Sequence, residues 1–299
     1  DIYAGGTFTS SGILTINRIA RWNGSVWAEL EEGANSTVRV VTLAGTNLYV
    51  GGSFSSVGTQ SAYGLAYRSG SSWNSVAGGT SNGVNNLITS LAYYNNELYI
   101  GGLFTRVGNI VANGLAKWNG TSWSTFGNTI PGTVIYRLFV NSSDLYVGGF
   151  FTTMGGINAR NLARWNGTAW SAFGAGVNGP VYSFAVAGTN VFAGGQFDTA
   201  GTTSANNIAR WNGTSWSALG TGTNAVVWQM AVLGSDLFAV GQFGTAGGVG
   251  VNGIAKWNGA TWSELGTGFN NYAYALLIDG SNVYVGGVFT TAGGVTVNG

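Results

Sequence analysis

An aromatic residue inside a stretch such as LYVGG recurs at Tyr3, Tyr49, Tyr99, Tyr146, Phe192, Phe238 and Tyr284, with successive spacings of 46, 50, 47, 46, 46 and 46 residues. A tryptophan keeps the same beat at Trp27, Trp73, Trp123, Trp170, Trp216 and Trp262, spaced 46, 50, 47, 46 and 46 residues. Two unrelated markers on one period define repeated structural units. A unit this small cannot cover both faces of its own sheet, so each must stack on its neighbours to bury a core.

The unit Pro180 to Gly220 is cut by its turn residues into four segments: VYSFAV (a), VFAGGQF (b), NIARW (c) and TSWSAL (d). Each is short, made of aromatic, β-branched and small residues, and bounded by Gly, Asn, Thr or Asp, which reads as strand. No window long enough for a helix carries a helical apolar period without a glycine interrupting it. Between c and d, Asn212-Gly213 predicts a two-residue type I′ turn. That register sets Trp211 opposite Thr214 and Ala209 opposite Trp216, with the two tryptophans diagonal on one face. In the second repeat, YRSGSSW, the segment Arg68-Ser69-Gly70 predicts a three-residue loop with a glycine bulge.

Four-stranded antiparallel sheets stacked in a ring form a β-propeller. The expected fold is therefore all-β, a propeller of about 46 residues per blade, with seven blades favoured over six. The sequence holds seven b strands but six complete c and d strands and six a strands. A six-bladed ring would use Tyr274 to Ile278 to complete the sheet begun by residues 1–30, whereas seven blades leave the first and last incomplete, with residues missing at both ends. The expected organisation is one domain, 1–299, with repeats at roughly 1–36, 37–85, 86–133, 134–179, 180–225 and 226–271, and a partial repeat at 272–299.

LYVGG, then an Asn before strand c, then an aromatic and a Trp, resembles a kelch-type blade like those of the galactose-oxidase central domain and of secreted bacterial surface repeat proteins. The c–d hairpin is shorter than usual for kelch. The resemblance implies strand a innermost and d outermost, a–b and c–d turns on one face, and b–c and d–a loops on the other. It carries no activity, because such propellers host unrelated functions. The hairpin also resembles the Asp-box of sialidase propellers, but Trp118, Trp211 or Trp257 stands where that motif has Asp.

Of 299 residues, 11 are basic and 10 acidic, which is 7% charged with a net charge of +1. An average soluble protein has roughly 25%, so Ser, Thr, Asn and backbone must wet this surface. The small net charge and absence of a basic run exclude the phosphate-neutralising surface of a nucleic-acid binder. No apolar run approaches the roughly 18 residues of a membrane-spanning helix, so no membrane insertion is expected. With no Cys and no His, thiolate nucleophiles, disulfides, Cys/His metal sites and His-based triads are excluded, as is the copper site of galactose-oxidase-like propellers. Neither cofactor nor metal is expected. The composition fits an exported protein, extracellular or at the cell surface.

The a–b and c–d connections are tight (GTN, GSD, NG), while the b–c and d–a connections are long, as in Asp198 to Asn206 and Gly220 to Ala225. Ligands are expected on the long-loop face. At the start of strand a, beside that face, the repeats place Arg39, Thr89, Tyr136, Tyr182, Trp228 and Tyr274. Trp228 is the only tryptophan outside the repeated motif. The candidate ligand-binding residues are Arg39, Tyr136, Arg137, Tyr182, Trp228, Gln229 and Tyr274, an aromatic and cationic set suited to sugars or peptide. The competing reading makes them packing that fills the channel.

Gly5-Gly6 and its equivalents read as close backbone approach, since no helix follows to make a phosphate cradle. Arg21, Lys117, Arg164, Arg210 and Lys256 are expected to lay their stems over a neighbouring blade. Asn23, Asn119, Asn166 and Asn212 begin N-x-S/T sequons, although turn chemistry alone accounts for the Asn. The acids are scattered, with no pair at a spacing suited to general acid–base work.

The leading expectation is a non-catalytic extracellular module that binds or adheres to glycan or surface protein through the long-loop face. The alternatives are a structural unit of a surface layer, filament or propeller array that self-associates with neighbouring domains, and an unrecognised hydrolase or lyase.

Overall fold

The computed structural model describes residues 1–76, 83–126, 130–141 and 143–297. No α-helix occurs among them, and no helix is long and apolar enough to cross a membrane. The chain divides into two compact units, Asp1–Leu145 and Tyr146–Gly299, with the division inside the strand Asp144–Phe150.

In the first unit, a three-stranded sheet (Ile2–Gly5, Ile19–Trp22, Trp27–Glu29) precedes two four-stranded antiparallel sheets. These are Val38–Ala44, Asn47–Gly52, Leu65–Ser69 and Ser72–Ser75, then Ile88–Tyr94, Glu97–Gly102, Leu115–Trp118 and Trp123–Ser124. In the second unit the same a-b-c-d order recurs in Val181–Ala187, Asn190–Gly195, Ile208–Trp211 and Trp216–Ala218, and in Val227–Leu233, Asp236–Gly241, Ile254–Trp257 and Trp262–Glu264. A two-stranded sheet, Ala273–Asp279 with Asn282–Gly287, follows. These repeated four-stranded blades are those of a β-propeller.

The glycine pairs let one blade lie against the next. A Cβ on Gly51 would stand 2.8 Å from Ile88 Cγ2, and one on Gly194 would stand 2.8 Å from Val227 Cγ1. The space a side chain would occupy on strand b is thus filled by the following strand a. Apolar clusters form at these junctions, as where Phe192, Ile208, Val227, Leu237 and Trp262 pack together.

The c–d hairpin differs from the sequence reading. Trp211 pairs directly with Trp216, Arg210 with Ser217 and Ala209 with Ala218, so the loop is Asn212 to Ser215 rather than Asn212-Gly213. Only Gly213 takes a positive φ, +102°, which rules out type I′. Asn212 instead closes the loop with its side chain: Oδ1 accepts from the backbone N–H of Thr214 (3.0 Å) and Ser215 (2.8 Å). The tryptophans still share a face, with ring centroids 5.4 Å apart. The two-residue loop occurs in the second repeat, where Ser69 pairs with Ser72 and Gly70 takes φ +59°. There Arg68 replaces the first tryptophan opposite Trp73 and bonds Glu31 at 3.1 Å.

Three basic residues of strand c form ion pairs within their own sheet. Arg21 meets Asp1 at 2.9 Å, Lys117 meets Glu97 at 2.7 Å and Lys256 meets Asp236 at 3.2 Å. Each acid stands at the head of strand b in the same sheet, so these cations close their own blade.

Candidate functional site

The b–c connections, expected as long loops, contain small hairpins. Ser56–Val57 pairs with Gln60–Ser61, Thr199–Ala200 with Thr203–Ser204, and Thr245–Ala246 with Val249–Gly250. The turns begin at Gly58, Gly201 and Gly247, all with positive φ. One residue of each hairpin, Val57, Ala200 or Ala246, is wholly buried. Each hairpin also bridges to the d–a loop before its own blade: Ala34 with Val57, Val177 with Ala200, Thr223 with Ala246. An Asn in that loop secures the link, as when Asn178 Oδ1 accepts from the N–H of Asp198 and Thr199, both at 3.1 Å. The b–c and d–a connections therefore share one face, as the resemblance implied, and that face is braced by backbone pairing.

Strand a starts beside this layer, and the residue at its start has a backbone feature invisible in composition. The a–b pairing slips between Val38 and Val40, Ile88 and Ser90, Val181 and Ser183, Val227 and Gln229, and Ala273 and Ala275. Arg39, Thr89, Tyr182, Trp228 and Tyr274 are thus the extra residues of β-bulges, which re-aim side chains out of the ladder.

In the second unit three bulge residues meet. Tyr182 and Trp228 have ring centroids 4.6 Å apart, and Trp228 and Tyr274 6.0 Å. Tyr272, which sequence reasoning missed, adds a ring 6.5 Å from Tyr274. Tyr182 and Trp228 are half-buried and Tyr274 is exposed. The Trp228 Nε1–H is enclosed without a hydrogen-bond acceptor, an unsatisfied donor within the row. Gln229 Nε2 donates to the Leu276 carbonyl at 2.8 Å, so its amide nitrogen joins neighbouring a strands. Ser183 makes the equivalent link from the preceding a strand, its Oγ accepting from Met230 N–H at 2.8 Å.

The other candidates lie in the first unit. Arg39 is exposed, and Tyr136 is half-buried on Val134–Asn141. Arg137 follows Tyr136; its Nε is enclosed without an acceptor, and burial lowers the guanidinium pKa from its ordinary value. Within the second unit, Tyr182, Trp228 and Tyr274 are brought together, with Gln229 next to Trp228 in the chain.

Elsewhere, Glu97 and Asp198 are held by neighbouring side chains. Glu97 binds Lys117 and accepts from the Tyr99 hydroxyl at 3.2 Å. Asp198 is held below the usual carboxylate range by hydrogen bonds from Thr199 and Asn178. Among the described residues no three acids converge where a metal could be held.

The family model of the Rax2 C-terminal beta propeller domain matches residues 61–236. No curated protein matches the sequence significantly. Among solved structures, the extracellular domain of the putative one component system BT4673 from B. thetaiotaomicron is 14% identical with a TM-score of 0.61, the match covering 91% of this chain and 34% of that one. This chain thus spans about a third of that structure. YCF48 bound to D1 peptide is 15% identical with a TM-score of 0.51, covering 88% and 80% of the two chains. The WD40 beta propeller domain of Doa1 is 13% identical with a TM-score of 0.55, covering 82% and 73%. The kelch-type resemblance holds at the level of the propeller fold.

Proposed function

This chain belongs to the Rax2 C-terminal beta propeller domain family, and from that premise we propose that it is a non-catalytic, extracellular binding module. Its ligand is a glycan or a surface protein, taken at the braced b–c and d–a face. The observation that carries this reading is the row Tyr182, Trp228 and Tyr274, three rings raised on bulges at successive strands. Large, stiff aromatics with a polar edge suit recognition of sugar faces and peptide side chains. Support for a peptide-like partner comes from the structure of YCF48 bound to D1 peptide, and support for an exported setting from the extracellular domain of BT4673. The acids tied into ion pairs and turn caps support the absence of catalysis.

Glycan-array and pull-down assays on Trp228→Ala and Tyr182→Ala test the proposal. The expected loss for each is about thirtyfold or more, as for a hot-spot aromatic. Unchanged binding by both variants, with the fold intact by circular dichroism, removes the row from the reading.

A second reading, a structural unit that associates with neighbouring domains, is favoured by the exposed apolar side chains of the sheet Ala273–Asp279 with Asn282–Gly287. Among the described residues, a Cβ on Gly286 would meet Ala275 of its own hairpin at 3.7 Å, where Gly51, Gly101 and Gly194 meet the next strand a. Tyr272, Tyr274, Leu277, Tyr284 and Val288 are exposed around it. Sedimentation at rising concentration distinguishes the readings: a monomer throughout counts against self-association.

A further inference from the structure

We propose that Asn23, Asn119, Asn166 and Asn212 are acceptor sites for N-linked glycan, carried at the c–d turns. Each begins a sequon, Asn-Gly-Ser or Asn-Gly-Thr, and each is exposed. The turn uses only half of the side-chain amide. Asn119 Oδ1 accepts from Thr121 and Ser122 N–H at 2.9 and 2.8 Å, and Asn166 Oδ1 from Thr168 and Ala169 N–H at 3.0 and 2.8 Å. Asn23 and Asn212 repeat the pattern. No intramolecular hydrogen bond engages Nδ2 of these four among the described residues, so a sugar there leaves the turn's bonds in place.

The threonine two residues on also donates to the asparagine, Thr121 Oγ1 to Asn119 Oδ1 at 3.0 Å, Thr168 to Asn166 at 2.9 Å and Thr214 to Asn212 at 3.0 Å, but the backbone bonds that close the turn do not depend on it. At Asn258-Gly259-Ala260 the same bonds form, from Ala260 and Thr261 N–H at 2.9 and 2.8 Å, with no hydroxyl at the third position. The two backbone bonds thus close the loop without a hydroxyl at that position, and the hydroxyls of Ser25, Thr121, Thr168 and Thr214 are what a sequon requires. Asn35-Ser36-Thr37 gives the contrast. Its Oδ1 accepts from Ser55 and Ser56 N–H, and its Nδ2 donates to Ser55 Oγ at 2.8 Å, so a glycan there would displace the link between d–a loop and b–c hairpin. The sixth sequon, Asn141-Ser142-Ser143, includes a residue outside those described.

The donor would be a lipid-linked oligosaccharyl pyrophosphate. Nδ2 attacks the anomeric carbon, a C–N bond forms, the C–O bond to phosphate breaks with its electron pair leaving on the lipid pyrophosphate, and Nδ2 loses one proton. Because the c–d turn lies at the opposite end of strand c from the b–c hairpin, the sugars leave the bulge residues clear.

The proposal rests on the reading of the chain as exported, so the test supplies export itself. The chain is secreted from eukaryotic cells behind a cleavable leader, treated with peptide N-glycosidase in heavy-oxygen water, and mapped by peptide mass. The expected result is labelled aspartate at the four asparagines, none at Asn258, and little at Asn35. Ala260→Thr should create a new modified site at Asn258. Secreted protein that melts cooperatively with the four sites unmodified overturns the proposal, as does occupancy at Asn35 equal to theirs. Binding through Trp228, measured on the quadruple Asn→Gln variant, is expected to be unchanged, so failure of either proposal is seen separately.

Discussion

Trp216 shows what one repeated residue does. It is 8% exposed, packs at a tilt against Trp211, and donates from Nε1 to the Phe173 carbonyl of the preceding repeat at 2.9 Å. Trp262 does the same to Leu219 at 2.9 Å. Trp216→Ala should therefore cost about 3–5 kcal/mol in denaturant unfolding, the range for a buried large-to-small change. The glycine pairs make a complementary case. Gly194→Ala places a methyl 2.8 Å from Val227 Cγ1 and 3.0 Å from Met230 Cε, and overpacking of this kind costs about 1–3 kcal/mol. Gly286→Ala, with 3.7 Å to its nearest neighbour, should leave the melting temperature nearly unchanged. These roles were legible because burial and close approach restrict residue type. The unpaired Trp228 Nε1–H was not legible, since nothing in a sequence marks which donor lacks an acceptor.

At the scale of strands and turns, the repeat period placed every a, b, c and d strand, and register was what it could not supply. Asn-Gly suits a type I′ turn, but an Asn side chain that caps two N–H groups stabilises a longer loop with the same residues. The b–c hairpins were missed because their strands are two residues long, too short for alternation to register. Their signal was the recurrent glycine at 58, 108, 155, 201 and 247. The bulges, and with them the geometry of the candidate site, were hidden for a related reason: one extra residue changes where a side chain points and leaves composition untouched. A pH prediction belongs here. Tyr99 on strand Glu97–Gly102 is buried, and burial first, then the Glu97 charge, raises its hydroxyl above the ordinary value of 10.0. A raised acid holds its proton more tightly folded than unfolded, so its contribution is full below pH 10 and is lost as pH rises beyond it. Thermal melts should show an alkaline loss of stability that is smaller in Tyr99→Phe.

For the molecule as a whole, each described repeat is tied chiefly to the one beside it. Ser90 Oγ accepts from Leu138 N–H at 2.9 Å, Ser183 Oγ from Met230 N–H at 2.8 Å, and Gln229 reaches Leu276 at 2.8 Å. In such an arrangement stability is close to a sum of nearest-neighbour terms. Ser183→Ala leaves the buried Met230 N–H without its partner, so amide exchange should quicken in Val181–Ala187 and Val227–Leu233 while Val38–Ala44 keeps its protection. The composition foresaw a lightly charged surface, and with no more than 21 charges the chain spends several on closing blades. These side-chain bonds between repeats span 43 to 49 residues, about one period. On a ribosome adding about 5–20 residues per second, a blade just synthesised waits only roughly two to nine seconds for the partner that covers its apolar side. The chain is thus suited to folding vectorially as it emerges, with one sticky surface exposed at a time.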